Sequence, residues 1–347
     1  MMNTENTNIE AIIVHEIGDK SLQQALVLSQ NVIKPDSEEL ELLRGFFLDH
    51  FKSFEFYNFR MAGPSVPTSR IYEPVAEIFN DPASLIAGSS QIARILYQYT
   101  ESQLLSHGYM FLVYLRDIMI GDELTDAVGI YFCRSNDIFL KPESVGTNPL
   151  LRFYEGTFLG KHDMACIVFH TDEEQGFKID LIDKSKKHKE GQFWKDLFLQ
   201  VKPAEDDFFQ TSQVMGLTKS FVEHQLPMEF EVEKKEQLDY LNKSIDYFKN
   251  QEHYSEQDFA DQVFDNLDIA QSFGNYRQSY QDTHNVDLPD DFEVNEHAVK
   301  KQAKHFKSVL KLDRNFHVYI HGDRNMIERG MDESGRKYYK LYYQNEQ

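Results

Sequence analysis

Between residues 200 and 206 the chain changes its hydrophobic period, and no other feature constrains its fold as strongly. Before that point the apolar residues come in short continuous runs: Tyr109–Leu115, Ala127–Cys133, Ala165–Phe169 and Phe177–Ile182. These runs are rich in β-branched and aromatic residues, and Gly-Asp and Glu-Glu-Gln-Gly turns separate them. That pattern predicts a largely antiparallel sheet rather than alternating βαβ units. Ile9–Val14 reads as an opening strand. Two helical patterns interrupt the first half. Leu40, Leu43, Phe47, Phe51 and Phe54 recur at helical spacing over 38–54, with Glu38, Glu39 and Glu41 favouring the N-terminal end. A second helix is expected to start at Asp81-Pro82 and to present Leu85, Ile92, Ile95, Leu96 and Tyr99.

After the change the pattern is helical. Asp206 and Asp207 cap a segment running through Leu226, and Leu238, Leu241, Ile245 and Phe248 share one side of a helix over 231–250. Residues 255–273 read as a helical pair, and a turn over 287–291 leads into a helix from about Val294. Strand character returns at 316–321, 326–329 and 337–343. At 347 residues and 40.7 kDa the chain exceeds the size of a single core, so two domains are expected. The expected fold class is α+β: a mixed domain with a mainly antiparallel sheet over 1–203, and a helix-rich domain over 204–347 that ends in a small β-hairpin or meander. A hydrophobic content of 41% argues against disorder as a description of the whole.

The formal net charge of −21 argues against anionic partners until it is mapped along the chain. Residues 1–222 carry a net −12 and residues 223–299 a net −14, whereas residues 300–347 hold 11 basic and 6 acidic side chains, a net +5. On a wheel at about 100° per residue from Val294, Ala298, Val299, Ala303, Phe306, Val309 and Leu310 share one arc. Lys300, Lys301, Lys304 and Lys307 fall opposite. Such a stripe suits a phosphate backbone, where each contact adds affinity by releasing counterions. It also suits an ordinary solvated helix face. Lys311, Arg314, Arg324, Arg329, Arg336 and Lys337 flank the stripe in sequence. A smaller basic loop, Lys184 to Lys189, reads as a solvated turn or a phosphate contact.

Catalytic signatures are missing. The sequence contains no phosphate loop, no dinucleotide fingerprint after a strand, no nucleophile elbow and no H-E-x-x-H. His317 and His321 would stand about 13 Å apart on a strand, too far to share one ion. His321-Gly-Asp-Arg324 reads as a hairpin turn. Asp122, Glu123 and Asp126 form an acidic cluster that would suit Mg²⁺ in a nuclease, or simply a polar turn. Cys133 and Cys166 sit in apolar runs and read as buried free thiols. The first residues lack a signal-peptide pattern, and the longest apolar run, Tyr109–Leu115, is far shorter than a membrane span needs. A cytoplasmic protein without cofactor, metal or membrane partner is expected.

The order of features resembles the 37-kDa nucleoid-associated proteins of bacteria. The resemblance rests on the opening strand ending Val14-His15-Glu16, the Phe-rich first helix, and Phe208-Phe-Gln-Thr-Ser-Gln213 followed by a long helix. It is strongest in Phe306-Lys-Ser-Val-Leu-Lys-Leu-Asp-Arg-Asn-Phe316 and Tyr338-Tyr-Lys-Leu-Tyr-Tyr343. It implies association with the nucleoid and a non-enzymatic role; the expected DNA contacts come from charge geometry. The expectation is non-specific, salt-sensitive contact with DNA phosphates through Lys300, Lys301, Lys304, Lys307 and Lys311, flanked by Arg314, Arg324, Arg329, Arg336 and Lys337. Two alternatives stand beside it. One is recruitment by a nucleoid protein, through residues 206–285 or an acidic surface that imitates DNA. The other is a metal-dependent nuclease. The oligomeric state is open, a homodimer included.

Overall fold

The computed structural model describes residues 2–63, 68–102, 105–134, 137–145, 148–157, 164–183, 193–306, 309–312, 316–319 and 327–343. The chain is of the α+β class and divides into two compact units, Met1–Ala204 and Glu205–Gln347.

The first unit is built on an eight-stranded antiparallel sheet. Its strands are β1 (Met2–Asn3), β2 (Asn8–Ile17), β3 (Tyr57–Phe59), β4 (Gly108–Ile120), β5 (Glu123–Arg134), β8 (Met164–Phe169), β9 (Lys178–Asp183) and β10 (Val201–Pro203). They lie in the order β1-β4-β5-β8-β9-β3-β10, with β2 also on the β1 side of β4. The four apolar runs read from the sequence are β4, β5, β8 and β9. Helices cover both faces. Met164, Cys166 and Val168 of β8 enter one core with α2 (Tyr72–Asn80) and α3 (Leu85–Gln98); Ala165, Ile167 and Phe169 enter the other with α1 (Ser37–Leu48). Burial on two sides is why the strand reads as continuous apolar sequence rather than alternation. It also places the two buried cysteines, Cys133 and Cys166, in opposite cores.

The polar side chains buried in this unit include a histidine and an aspartate. His15 on β2 accepts the Ser29 N–H at Nδ1 (3.1 Å), which assigns its proton to Nε2, 3.0 Å from Ser89 Oγ on α3. Ser89 Oγ in turn donates to Ile86 O at 3.1 Å. Burial, helped by the Arg94 charge, lowers the His15 pKa to about 4. Asp180 on β9 is buried with its Oδ1 unpartnered, and that burial pushes its carboxyl up to about 7.

Three first-unit elements differ from the sequence reading. The helix expected over 38–54 ends at Leu48, and Phe51 reaches the core from beyond it. Helix α2 was not foreseen; Pro74 stands at its third position, where the missing N–H costs no intrahelical bond. Between β5 and β8 a separate two-stranded hairpin, β6 (Asp137–Val145) and β7 (Asn148–Gly156), is also new.

The second unit is helical, then stranded. Asp206 caps α4 (Asp207–Ser220), accepting the Phe209 N–H at 3.0 Å. The helix runs on through a wide π turn, Phe221–Gln225, ahead of Pro227, which has no N–H to give the ladder. Helices α5 (Lys234–Asn250), α6 (Glu256–Val263) and α7 (Leu267–His284) pack Phe221, Phe248, Tyr254, Phe259, Phe264 and Phe273 into one aromatic core. Strands β11 (His253–Ser255) and β12 (Asp291–Glu293) pair, and α8 (Glu296–Ala303) follows. Two hairpins close the chain: β13 (Val309–Leu312) with β14 (Phe316–Tyr319), and β15 (Ile327–Met331) with β16 (Lys337–Leu341). The helix from Val294 is therefore shorter than its wheel: it stops at Ala303, Phe306 turns into the core, and Val309 and Leu310 belong to a strand.

Candidate nucleic-acid interface

Among the described C-terminal cations, all but Lys311 lie on or beside two elements. On α8, Asn295 caps the helix by accepting the His297 and Ala298 N–H groups at 3.1 Å each. Ala298 and Val299 face the core, so Lys300, Lys301 and Lys304 are turned outward together. Their place in and just after the last turn also suits the negative end of the helix dipole. Each of the first two has a local partner. Lys300 Nζ lies 2.7 Å from Glu296 Oε2 one turn earlier, and its hydrogen bond holds that carboxyl below its ordinary pKa. Lys301 Nζ sits 5.4 Å above the Phe208 ring of α4. Exposed ion pairs of this kind are weak, so a phosphate displaces them at little cost.

The second element is the β15–β16 hairpin. Its register sets Lys337 opposite Met331, which puts those two on one face, and pairs the backbone of Arg329 with that of Tyr339. The turn between the strands is held by Asp332. This carboxylate accepts the Ser334 hydroxyl (2.6 Å), the Arg336 N–H (2.9 Å) and Arg336 Nε (2.9 Å), and lies below its usual pKa, chiefly through the Ser334 hydroxyl. Lys337 and Lys340 are exposed. Tyr338, Tyr342 and Tyr343 are exposed beside them, so cations alternate with aromatic rings along one short ribbon. Tyr342 OH donates to Glu328 Oε2 at 2.6 Å, which orients that ring. Basic side chains interleaved with aromatic faces are what backbone contact plus base stacking requires. Lys340, counted among the eleven basic side chains but not among the expected contacts, and the tyrosines are further interface candidates; the Lys-Tyr-Tyr-Lys-Leu-Tyr-Tyr run carried the signal.

Of the remaining predicted contacts, Lys311 lies on β13 opposite His317, placed by its backbone alone. Lys307, Arg314 and Arg324 lie outside the described residues, as do His321 and the basic loop Lys184 to Lys189. The acidic trio does not assemble. Glu123 Oε2 accepts from Thr171 Oγ1 (3.0 Å), while Asp126 Oδ2 accepts from Tyr114 OH (2.9 Å) and pairs with Arg116 Nη1 (3.0 Å). Among the described residues no group of three or more histidine, cysteine or carboxylate side chains is placed to hold a metal ion. Nor is any helix among them long and apolar enough to cross a membrane.

A family model described as NA37, nucleoid-associated protein YejK, matches residues 13–336. No protein with a curated description matches the chain.

Proposed function

The chain belongs to the NA37 family of nucleoid-associated proteins, and from that premise we propose that it acts without catalysis, by non-specific contact with DNA phosphates through its C-terminal segment. Lys300, Lys301 and Lys304 on α8 are the central contacts, extended in sequence by Lys307 and Lys311. Arg314, Arg324, Arg329, Arg336 and Lys337 flank them, and Tyr338, Tyr342 and Tyr343 supply stacking surface. The observation that carries this reading is the charge distribution: residues 300–347 are net +5 on a chain that is net −21. The acidic 223–299 segment repels DNA elsewhere and sets the orientation. Such a protein works in the bacterial cytoplasm, on the nucleoid.

Affinity for duplex DNA should be independent of sequence and fall steeply with salt. Changing Lys300, Lys301 and Lys304 to Glu should flatten the log–log salt slope by about three, close to one unit per lost phosphate contact. An unchanged slope overturns the interface. The local engagement of Lys300 and Lys301 favours a second reading, in which a basic nucleoid protein binds the acidic helical surface. Recovery of the chain with nucleoid material after nuclease treatment supports that second reading and counts against direct contact.

A further inference from the structure

The β6–β7 hairpin carries a surface that nucleoid contact does not use. It forms a sheet of its own between β5 and β8, with nine residues in each strand, so it spans about 30 Å. Its register pairs Leu140 with Phe153, Pro142 with Leu151 and Ile138 with Glu155, and paired residues share a face. One face of the arm is therefore Ile138, Leu140, Leu151 and Phe153 with Pro142. These four large side chains are 70%, 53%, 61% and 69% exposed.

The other face mixes charge with less exposed apolar groups, Phe139 (37%), Leu150 (42%) and Tyr154 (47%), and its charges are paired within the arm. Glu143 accepts from Arg152 Nε at 2.9 Å and pairs with Lys141 Nζ at 3.3 Å. Phe139 covers Gly156, where an added Cβ would meet the ring at 3.3 Å. All the charge but that of Glu155, opposite Ile138, and all the polar bonding thus lie away from the apolar face.

A two-stranded ribbon is marginal in water by itself, and an uncovered apolar face makes it more so. We infer that this face is a dimerisation surface whose occupant is the same face of a second copy of the chain. Four side chains at these exposures present roughly 500 Å² of apolar surface, near the upper end of what monomeric proteins leave bare. Two such faces bury about 1,000 Å² together, where specific interfaces begin.

Charge selects the occupant. The arm is net −1, and its only two cations, Lys141 and Arg152, are both held by Glu143, so it offers a nucleic acid nothing. A molecule of net −21 associates with itself best where charge is sparse, and this face carries only Glu155, near one end of the arm. An isologous contact also needs no complementary partner chemistry. Pro142 and Pro149, one in each strand, disfavour continuation of the ladder by a third strand, which leaves face packing rather than edge pairing.

Sedimentation velocity of the full chain at micromolar concentration tests this. The unsubstituted chain should sediment at twice 40.7 kDa. The double variant Leu151→Glu/Phe153→Glu should raise the dissociation constant at least about 100-fold, because each copy would bury two unpaired charges. Leu140→Met, which keeps the apolar area, and Lys141→Gln, on the polar face, should leave it within about 3-fold. Trp194 fluorescence and circular dichroism should stay unchanged in all of them, since the substituted side chains are exposed in the single chain. A mass of 40.7 kDa across the range, or equally tight association of the double variant, overturns the proposal. So does a loss of DNA affinity in the double variant without a change of mass, which would make the arm a nucleic-acid contact.

Discussion

The two hairpins, β6–β7 in the first unit and β15–β16 in the second, are built alike and charged differently. Each is an antiparallel pair outside any larger sheet, and each lays an aromatic ring over a glycine, Phe139 on Gly156 and Tyr338 on Gly330. In the first, Glu143 neutralises both cations and an apolar face is left uncovered. In the second, Lys337, Lys340 (3.9 Å from Glu328 Oε2) and three tyrosines face water. A lone hairpin is marginal, and the two surfaces differ in what would complete them: apolar cover for the first, anionic charge for the second. On the two roles proposed above, side-chain chemistry rather than backbone architecture separates a self-association element from a nucleic-acid element.

The comparison is tested hardest by destabilising one unit and watching the other. The first unit holds the chain's single tryptophan, Trp194, and two buried groups whose titrations oppose each other. His15 has a folded pKa of about 4, below its unfolded value near 6.5. Its contribution is full above about pH 6.5 and is lost as the pH falls towards 4. Asp180 has a folded pKa of about 7, above its unfolded value near 4. Its contribution is full below about pH 4 and is lost as the pH rises through 7. His15 is worth about 3 kcal/mol and Asp180 about 4 kcal/mol across these windows, so in the unsubstituted chain they largely cancel. Asp180→Asn leaves His15 unopposed: urea stability read by Trp194 should fall by about 3 kcal/mol from pH 7 to pH 4.5. His15→Gln should reverse the sign, with stability rising as the pH falls over the same range. DNA affinity through the second unit should follow neither curve; if it tracks both, the two hairpins depend on one cooperative fold and the contrast between them fails.

How far the sequence announced these elements depends on what each buries. Strands β4, β5, β8 and β9 are legible because two-sided burial demands continuous apolar runs, and β8 is six buried residues in a row. The β6–β7 hairpin is illegible by the same logic: its apolar residues come in runs of only two or three, Ile138–Leu140, Leu150–Leu151 and Phe153–Tyr154, cut by charges and by Pro142 and Pro149, as suits exposed edges rather than a core. The overlong helix from Val294 shows a different limit. Val309-Leu-Lys-Leu312 fits either period over four residues, and only the burial of Phe306 decides that the helix has ended. At the interface, the outward direction of Lys300, Lys301 and Lys304 follows from helical spacing alone. The ring beneath Lys301 does not, since Phe208 lies on another helix that only tertiary packing brings close.

A smaller effect separates the hairpins by charge. Reversing Arg336, Lys337 and Lys340 to Glu should weaken DNA binding by about 10- to 100-fold at moderate salt and flatten the salt slope. Sedimentation mass should not change. The Leu151→Glu/Phe153→Glu chain should do the opposite, changing mass and leaving the slope alone. If the triple reversal dissociates the dimer as well, the two surfaces are not separate functions.

The smallest effect is the most specific, because it compares the same substitution under the same kind of ring. A Cβ added at Gly330 would stand 2.3 Å from Tyr338 Cζ, so Gly330→Ala must displace the ring from its strand. A Cβ added at Gly156 meets only the edge of Phe139, at 3.3 Å, and a shift of a few tenths of an ångström accommodates it. Gly330→Ala should therefore lower affinity for single-stranded DNA by about 3- to 10-fold, the worth of one stacked base, in a fluorescence-anisotropy titration. Gly156→Ala should leave both DNA affinity and sedimentation mass within error. Equal losses of DNA affinity from the two would show that Tyr338 packs its own hairpin and stacks on nothing, leaving lysine and arginine as the whole of the second surface.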